Sequence, residues 1–600
     1  MHFEALNLHI PPAFIFIIGA FLIPAFKGRV KAAYMLLLPL LAFITLVYTP
    51  LGEHWSVGFL DYELLLGRLD RLSRIFGIIF VLISFLSVLF ALKVGDDLQH
   101  VAGFAYAGGA LGVTLAGDLF SLYVFWEIMA VASAFLILAR RTPASRAAAF
   151  RYIMLHIFGG LCLLAGIVLY VKHNGTAAFA WMELSGPASI LIFLGVAVNA
   201  AIPPLHPWLS DAYPEATITG AVFLSAFTTK SAVYVMARMF AGAEILIYLG
   251  VLTAALPIFY ALLENDIRRV LAYSLINQVG FMLCGVGIGT QLAINGAASH
   301  AFCHILYKAL LFMAAGSVLH MTGKIKCTDL GGLYKTMPLT AVFCMVGAAS
   351  ISAPLFGGFV SKSMILSAAA HHHMALVWLV LQFASAGVFL VAGLKVPYFM
   401  FFGRDSGIRT REPPANMLLA MFGAAFLCIF LGIRFDLLYA LLPYAADYAP
   451  YTGAHVVAQL QLLMFAALAF YLLVRSGRYP SEIRSVNLDT DWFYRKGARA
   501  FAACAAAGFN GLNAVCEAVF ARRLPLFLKE FFGRLPAFLV YFFSRLFSRP
   551  QAEPTDSGKD FAGRIREAEV TVSAGLLPIG INALLAAVLF VVLFLMLWGF

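Results

Sequence analysis

"NAAIPPLHPWL" (residues 199–209) sets three prolines, Pro203, Pro204 and Pro207, inside a run otherwise apolar enough to cross a membrane. "SAPLFGGFVSK" (352–362) interrupts a second run with Pro354, Gly357 and Gly358. Proline deletes a backbone donor and clashes with the preceding turn. The backbone groups so freed are tolerated in a bilayer only inside protein or beside water. Both runs therefore read as broken membrane helices, each the fourth of five, in blocks near 99–238 and 244–402. Paired breaks of this kind point to an inverted-repeat transporter with its sites near the bilayer midplane. Two unrelated proline kinks are the plainer alternative.

Composition makes lipid the main solvent. Of the 600 residues, 62% are hydrophobic and 12% charged, whereas soluble domains are roughly half apolar and a quarter charged. A span takes about 20 apolar residues, which gives about 16 candidate spans in an all-α polytopic membrane protein. The net charge of +11 does not mark a nucleic-acid partner, because the basic residues sit at the ends of apolar runs. Lys27, Arg29 and Lys31, then Arg140, Arg141 and Arg146, then Arg404, Arg409 and Arg411 fall on loops of one side, while "LGEHWSVGFLDYE" (51–63) on the other side is acidic. The positive-inside rule then expects both termini outside and the chain in the cell's inner (plasma) membrane. Glu4 precedes the first apolar run and the basic residues follow it, the reverse of a cleavable signal. The eight cysteines form no CxxC pair and no metal-ligand spacing, so neither a metal nor a cofactor is expected.

The expected organisation has six parts. N-terminal membrane helices occupy 1–98, a first repeat 99–240 and a second repeat 241–403. Further spans follow in 404–476. Residues 477–560 carry charges every few positions among Phe, Leu and Ala, too interrupted to span, and read as an amphipathic segment on the inner surface with a polar linker. Residues 561–600 hold a last span.

Charges inside apolar runs carry the functional reading. Glu127 lies in "SLYVFWEIMAVASAF" (121–135), nine residues after Asp118 and so about 14 Å along a helix, close to mid-membrane. An acid there is a functional hypothesis by default; a protonated Glu bonded to a neighbouring helix is the plainer one. Lys230 is eight residues from Arg238, about 12 Å from that helix end and too far for easy snorkelling. Lys362 follows the second break directly, and a lysine reaching interfacial water would serve there too. "HAFCHILYKALLF" (300–312) sets His300, His304 and Lys308 on one helical face, spaced about 6 Å apart. Such a row can relay protons through water, since imidazole titrates near physiological pH. Haem or metal ligation by the two histidines, or polar packing, are the rivals. Asn199, His206, Asp211, Asp266, Arg269 and Lys395 are accessory candidates; a helix start and loop polar groups account equally well for Asp266, Arg269 and Asp211.

Several stretches together are similar to a known family. "HPWLSDAYPEATITGAV" (206–222), "TTKSAVY" (228–234), "NDIRRVLAYSLINQVG" (265–280), "SHAFCHILYKALLFMAAGSVLH" (299–320) and "APLFGGFVSKSMIL" (353–366) resemble the antiporter-like subunits of respiratory complex I and of Mrp-type sodium/proton antiporters. "AGLKVPYFMFFG" (392–403) resembles most the Mrp D-type subunit. The resemblance spans roughly residues 70–410. It implies two inverted five-helix repeats, each with a broken helix, and a line of charged and histidine residues across the midplane. It places Glu127 at the family's essential glutamate, Lys230 at the central lysine, Lys362 at the charged position of the second broken helix, and His300, His304 and Lys308 on the connecting relay helix. The family's lysine at the start of the first broken helix is replaced here by Asn199, so Glu127 lacks its expected partner.

The resemblance implies a proton-translocating, monovalent cation/proton antiporter subunit within a multisubunit membrane complex, with other membrane subunits, protons, monovalent cations and lipid as partners. A membrane subunit of a redox-driven (hydrogenase- or NADH dehydrogenase-like) or inorganic-carbon-uptake complex has the same layout. A non-pumping scaffold is the reading that Asn199 suggests. No phosphate loop, dinucleotide fingerprint or nucleophile elbow occurs in the chain.

Overall fold

The computed structural model describes residues 10–60, 62–477, 479 and 488–547, together with 563, 566, 567, 570 and 586–590. The described residues group into two compact units, one ending at Asp491 and one beginning at Trp492.

The first unit is almost wholly helical. It opens with α1 (Pro12–Leu22), α2 (Gly28–Tyr48), a hairpin of β1 (Gly52–Phe59) and β2 (Tyr62–Leu69), and α3 (Arg71–Ala91). Next come α4 (Asp97–Leu115), α5 (Leu119–Leu138), α6 (Pro143–Asn174), α7 (Gly186–Asn199), α8 (Pro207–Ala212), α9 (Ile218–Ala226) and α10 (Thr228–Met239). A similar series follows in α11 (Glu244–Leu263), α12 (Ile267–Ile288), α13 (Gln291–Thr322), α14 (Pro338–Ala349), α15 (Gly357–His371) and α16 (Ala375–Val388). The unit ends with α17 (Ala415–Ile433), α18 (Phe435–Ala440) and α19 (Gly453–Arg475).

Local chemistry sets the helix ends. Asp70 and Ser73 form a capping box at α3, as do Thr142 and Ser145 at α6. Asp118 accepts from Ser121 N–H at the start of α5, and Asp266 accepts from the N–H groups of Arg268 and Arg269 at the start of α12. Each side chain satisfies donors that a helix start leaves free. Gly175, Gly289 and Gly323 close α6, α12 and α13 with φ between +66° and +73°, a conformation glycine adopts without steric cost.

Among the described residues, eleven helices are long and apolar enough to cross a membrane, with Pro12–Ala25, Gly186–Asn199 and Pro338–Ala349 as shorter apolar helices. The sequence-based spans do not map one to one onto these helices. The breaks divide several of them, and 573–599 lies outside the described residues apart from 586–590. The protein is a multi-pass membrane protein. Its centre is α9–α10, α12 and α13, where 94% of each apolar window is buried, against 22% for α19.

Backbones approach closely at glycines. A Cβ on Gly280 would lie 2.6 Å from Gly250 O, and one on Gly287 would lie 2.5 Å from Ile247 N, so α11 and α12 form a seam that excludes any side chain there. Small residues are the usual means of joining helices in lipid, where apolar contact offers no driving force of its own.

The hairpin was not expected from the sequence, which reads there as an acidic loop. β1 and β2 pair antiparallel from Gly52↔Leu69 to Phe59↔Tyr62. Leu65 N–H donates to Asp118 Oδ2 at 2.7 Å, which docks the hairpin on the start of α5.

The second unit holds α20 (Asp491–Cys516, joined to the first unit at its first residue) and α21 (Leu524–Phe547), linked by the wider helical turns of Glu517–Arg523. Phe501, Phe509, Phe520, Phe527 and Phe531 are exposed beside Arg499, Arg523 and Lys529.

Candidate functional site

The first break begins where α7 ends. Asn199 is fully buried, and neither its Oδ1 nor its Nδ2 has a hydrogen-bond partner among the described residues. Ala201 takes a φ of +54° in the turn that follows. Trp208, on α8, donates its Nε1–H back to Val198 O at 2.9 Å and so closes the loop over the break. Glu127, on α5, points at Gly160 of α6, where a methyl group would overlap its Oε1. That oxygen is buried and has no partner among the described residues.

A further break separates α9 from α10 at Phe227, within the run read from the sequence as one span. Tyr106 OH accepts from Thr228 N–H at 3.0 Å, which caps the new helix start. Lys230 is fully buried and donates to Ser225 O at 2.7 Å, a carbonyl in the last turn of α9.

The second break runs from Ser350 to Phe356, with Leu355 at φ +73°. Lys362, on α15, reaches back into it. Its Nζ donates to Ser352 Oγ at 2.9 Å and to Ser385 Oγ of α16 at 3.3 Å, and lies 5.1 Å from the Phe281 ring centre. Lys362 is therefore buried and bonded, not directed to interfacial water.

α13 packs against α9 and α10, beside the Phe227 break, and against α14 and α15, beside the second break. Gly296 lets α15 approach, since a Cβ there would meet Ile365 Cγ1 at 2.8 Å. One turn on, His300 Nδ1 lies 3.0 Å from Ser361 Oγ, and Nε2 lies 3.1 Å from Gln278 Oε1, which also accepts from Tyr307 OH at 2.8 Å. Lys308 Nζ donates to Ser274 Oγ at 2.6 Å. His304 is fully buried with neither ring nitrogen partnered among the described residues. It stands within electrostatic range of Lys230, Lys308, His300 and Lys362. The structure thus brings five of the six pathway candidates together. Glu127 shares no charge–charge interaction with the five among the described residues.

The accessory candidates hold backbone and loops in place. Lys395 donates to the carbonyls of Ala261, Leu262 and Glu264 at the end of α11. Asp211 binds Arg151 through both oxygens, at 2.7 and 2.9 Å. Asp266 caps α12, and Arg269 Nε donates to Ser210 O at 3.1 Å. His206 Nε2 lies 3.3 Å from Asp489 Oδ1, and Thr490 Oγ1 donates to Pro204 O at 2.8 Å, so residues 489–490 strap the first break.

Sequence reasoning missed Gln278, Ser361, Ser274, Asp489 and His156. All but Asp489 are polar side chains inside apolar runs, and their meaning depends on which helix faces them.

The chain is similar in sequence and fold to known proteins. A family described as "NADH:quinone oxidoreductase/Mrp antiporter, TM" matches residues 116–389. A probable K(+)/H(+) antiporter protein of the A/B type from Rhizobium meliloti (strain 1021) is 30% identical over 398 residues, covering 61% of this chain and 40% of that protein. Matching relatives also include A-type and D-type Na(+)/H(+) antiporter subunits of Alkalihalophilus pseudofirmus, 32% and 33% identical, which cover 50% and 44% of this chain and 42% and 58% of those proteins. The chain spans about two fifths of the length of the first curated relatives it matches. The Mrp complex from Dietzia sp. DQ12-45-1b shares the fold, with a TM-score of 0.71, 24% identity, and coverage of 92% of this chain and 64% of that chain. The archaeal membrane-bound sulfane sulfur reductase gives a TM-score of 0.65 at 26% identity, covering 76% of this chain and 98% of that chain. Over its core of 116–389, the chain is similar to the NADH:quinone oxidoreductase/Mrp antiporter membrane family.

Proposed function

We propose that the chain is the proton-translocating, monovalent cation/proton antiporter subunit of a multisubunit complex in the cell's inner membrane, with both termini outside. Protons move along Glu127, Lys230, His304, Lys308, His300 and Lys362. The observation that carries this reading is the buried set of five basic side chains on α10, α13 and α15, with His304 within electrostatic range of the other four. Groups so placed in a low dielectric cannot all hold protons at once, so a proton on one raises the cost of a proton on the next. The unpartnered ring of His304 is suited to take a proton from either side. The first half, 99–240, then contributes Lys230, and the second, 241–403, contributes Lys308 and Lys362.

A redox-driven membrane subunit is the second reading, favoured by the match along 98% of the archaeal reductase chain. Co-purification of a redox subunit would select it.

The test is dye-reported proton movement in inverted vesicles on sodium and potassium pulses, with the chain expressed beside its neighbouring subunits. Glu127→Gln should abolish exchange at equal expression. Asn199→Lys, which restores a cation beside the first break, should change the rate. Wild-type exchange in Glu127→Gln would sink the pathway and leave a scaffold.

A further inference from the structure

Glu127 stands apart from the five basic groups, and something must bridge it to the α9–α10 break. The face of α6 turned to α5 carries Tyr152, His156 and Gly160 at successive turns. Its two ends are fixed by contact with α5: Glu127 packs on Gly160, and Ser133 Oγ lies 2.8 Å from Tyr152 OH. His156 sits between them, about 6 Å along the helix from each.

His156 is 1% exposed, and its ring is held on three sides. It stacks on Tyr152 at 3.9 Å between centres and meets the Trp208 ring edge-on at 4.7 Å. Nδ1 lies 2.8 Å from Tyr152 O, which can only accept, so Nδ1 carries the hydrogen of the neutral ring. Nε2 is then the basic nitrogen, and it is buried with no partner among the described residues. A buried polar atom left unpaired is costly, and one in a native fold calls for a reason. Beyond it, Tyr152 OH interacts with the Thr228 hydroxyl, which lies 2.6 Å from Tyr106 OH. Thr228 opens the helix that carries Lys230.

We propose that His156 is a further proton-carrying residue, passing protons between Glu127 and the Ser133–Tyr152–Thr228–Tyr106 hydroxyl set beside Lys230. The inference rests on the pathway proposed above. Nε2 takes a proton released by Glu127 through intervening water, the ring becomes an imidazolium, and the same nitrogen gives the proton up toward the hydroxyls. No other bond changes. The chain would thus replace the lysine missing at Asn199 by a titratable group on the neighbouring helix.

The test uses the same vesicle exchange, scaled to assembled protein, with the chain and its neighbouring subunits. Glu127→Gln reports on the pathway. His156→Phe keeps the stacking and His156→Gln keeps polarity, and each should lower exchange by about tenfold or more. Tyr152→Phe removes one oxygen only and should lower exchange by about threefold or more; it decides the matter if both His156 variants fail to assemble. Wild-type rates in assembled His156→Gln, or in Tyr152→Phe when that variant decides, overturn the relay, because neither side chain can carry the proton. If that happens while Glu127→Gln is inactive, the pathway stands without the relay. If Glu127→Gln also runs at the wild-type rate, the pathway fails and takes the relay with it.

Discussion

The two breaks use opposite strategies. At the second, Lys362 has Ser352 and Ser385, and His300 has Ser361 and Gln278. At the first, Asn199 has no partner for either amide atom, and Glu127 Oε1 and His156 Nε2 have none, among the described residues. A satisfied buried network holds one geometry, whereas a half-satisfied one is expensive and is kept for a purpose. On the pathway proposed above, the second break would hold a set state and the first a state completed by a transported proton or water.

Five substitutions would break or sharpen this contrast. The largest effect is expected for Glu127→Gln, about a hundredfold loss of exchange. Lys362→Met should cost about tenfold in exchange without lowering the unfolding temperature in detergent, because Ser352 and Ser385 stay 3.5 Å apart and can bond each other. A large drop in that temperature would mean that the lysine is structural.

Next come two substitutions with opposite signs. Asn199→Leu should raise unfolding stability by about 1–3 kcal/mol, since it removes two unpaired buried polar atoms. Ser361→Ala should lower it by about 1 kcal/mol, since it strips a partner from His300. Equal signs in denaturation curves would erase the distinction between the breaks.

The smallest effect concerns the strap over the first break. Burial pushes the Asp489 carboxyl up, but His206, Thr490 N–H and Tyr273 OH outweigh this and hold it below the usual carboxylate range. Its contribution is therefore complete above the unfolded-state value and is lost as pH falls through the lowered folded value. Amide hydrogen exchange at 488–490 should stay slow down to the ordinary carboxylate range and quicken only below it. Asp489→Asn should quicken it at neutral pH, by about 1 kcal/mol in opening free energy, and leave it little changed below the lowered folded value.

Much of this was legible in the sequence, for identifiable reasons. Prolines and glycines announce the 199–209 and 352–362 breaks because they delete donors or side chains whatever surrounds them. Lys230 and Lys362 stand out because a charge among apolar neighbours needs no partner to be conspicuous. The Phe227 break was hidden: "SAFTTKS" holds no proline or glycine, and its new helix start is capped from a distance by Tyr106. The hairpin was hidden because most of β1 is exposed, so no face alternation marks it. His156 was hidden because its role depends on the register of α5 against α6, set by Gly160 and Ser133.

The glycine seam between α11 and α12 has a practical consequence for watching this protein work. α12 carries Ser274 and Gln278, which hold Lys308 and His300, but it is buried and offers no place for a spectroscopic label. α11 is locked to it and turns Tyr248 and Leu252 outward, 62% and 45% exposed. A spin or fluorescent reporter at either position would ride on the seam. It would register a displacement of the inner helix during turnover while leaving the charge row untouched.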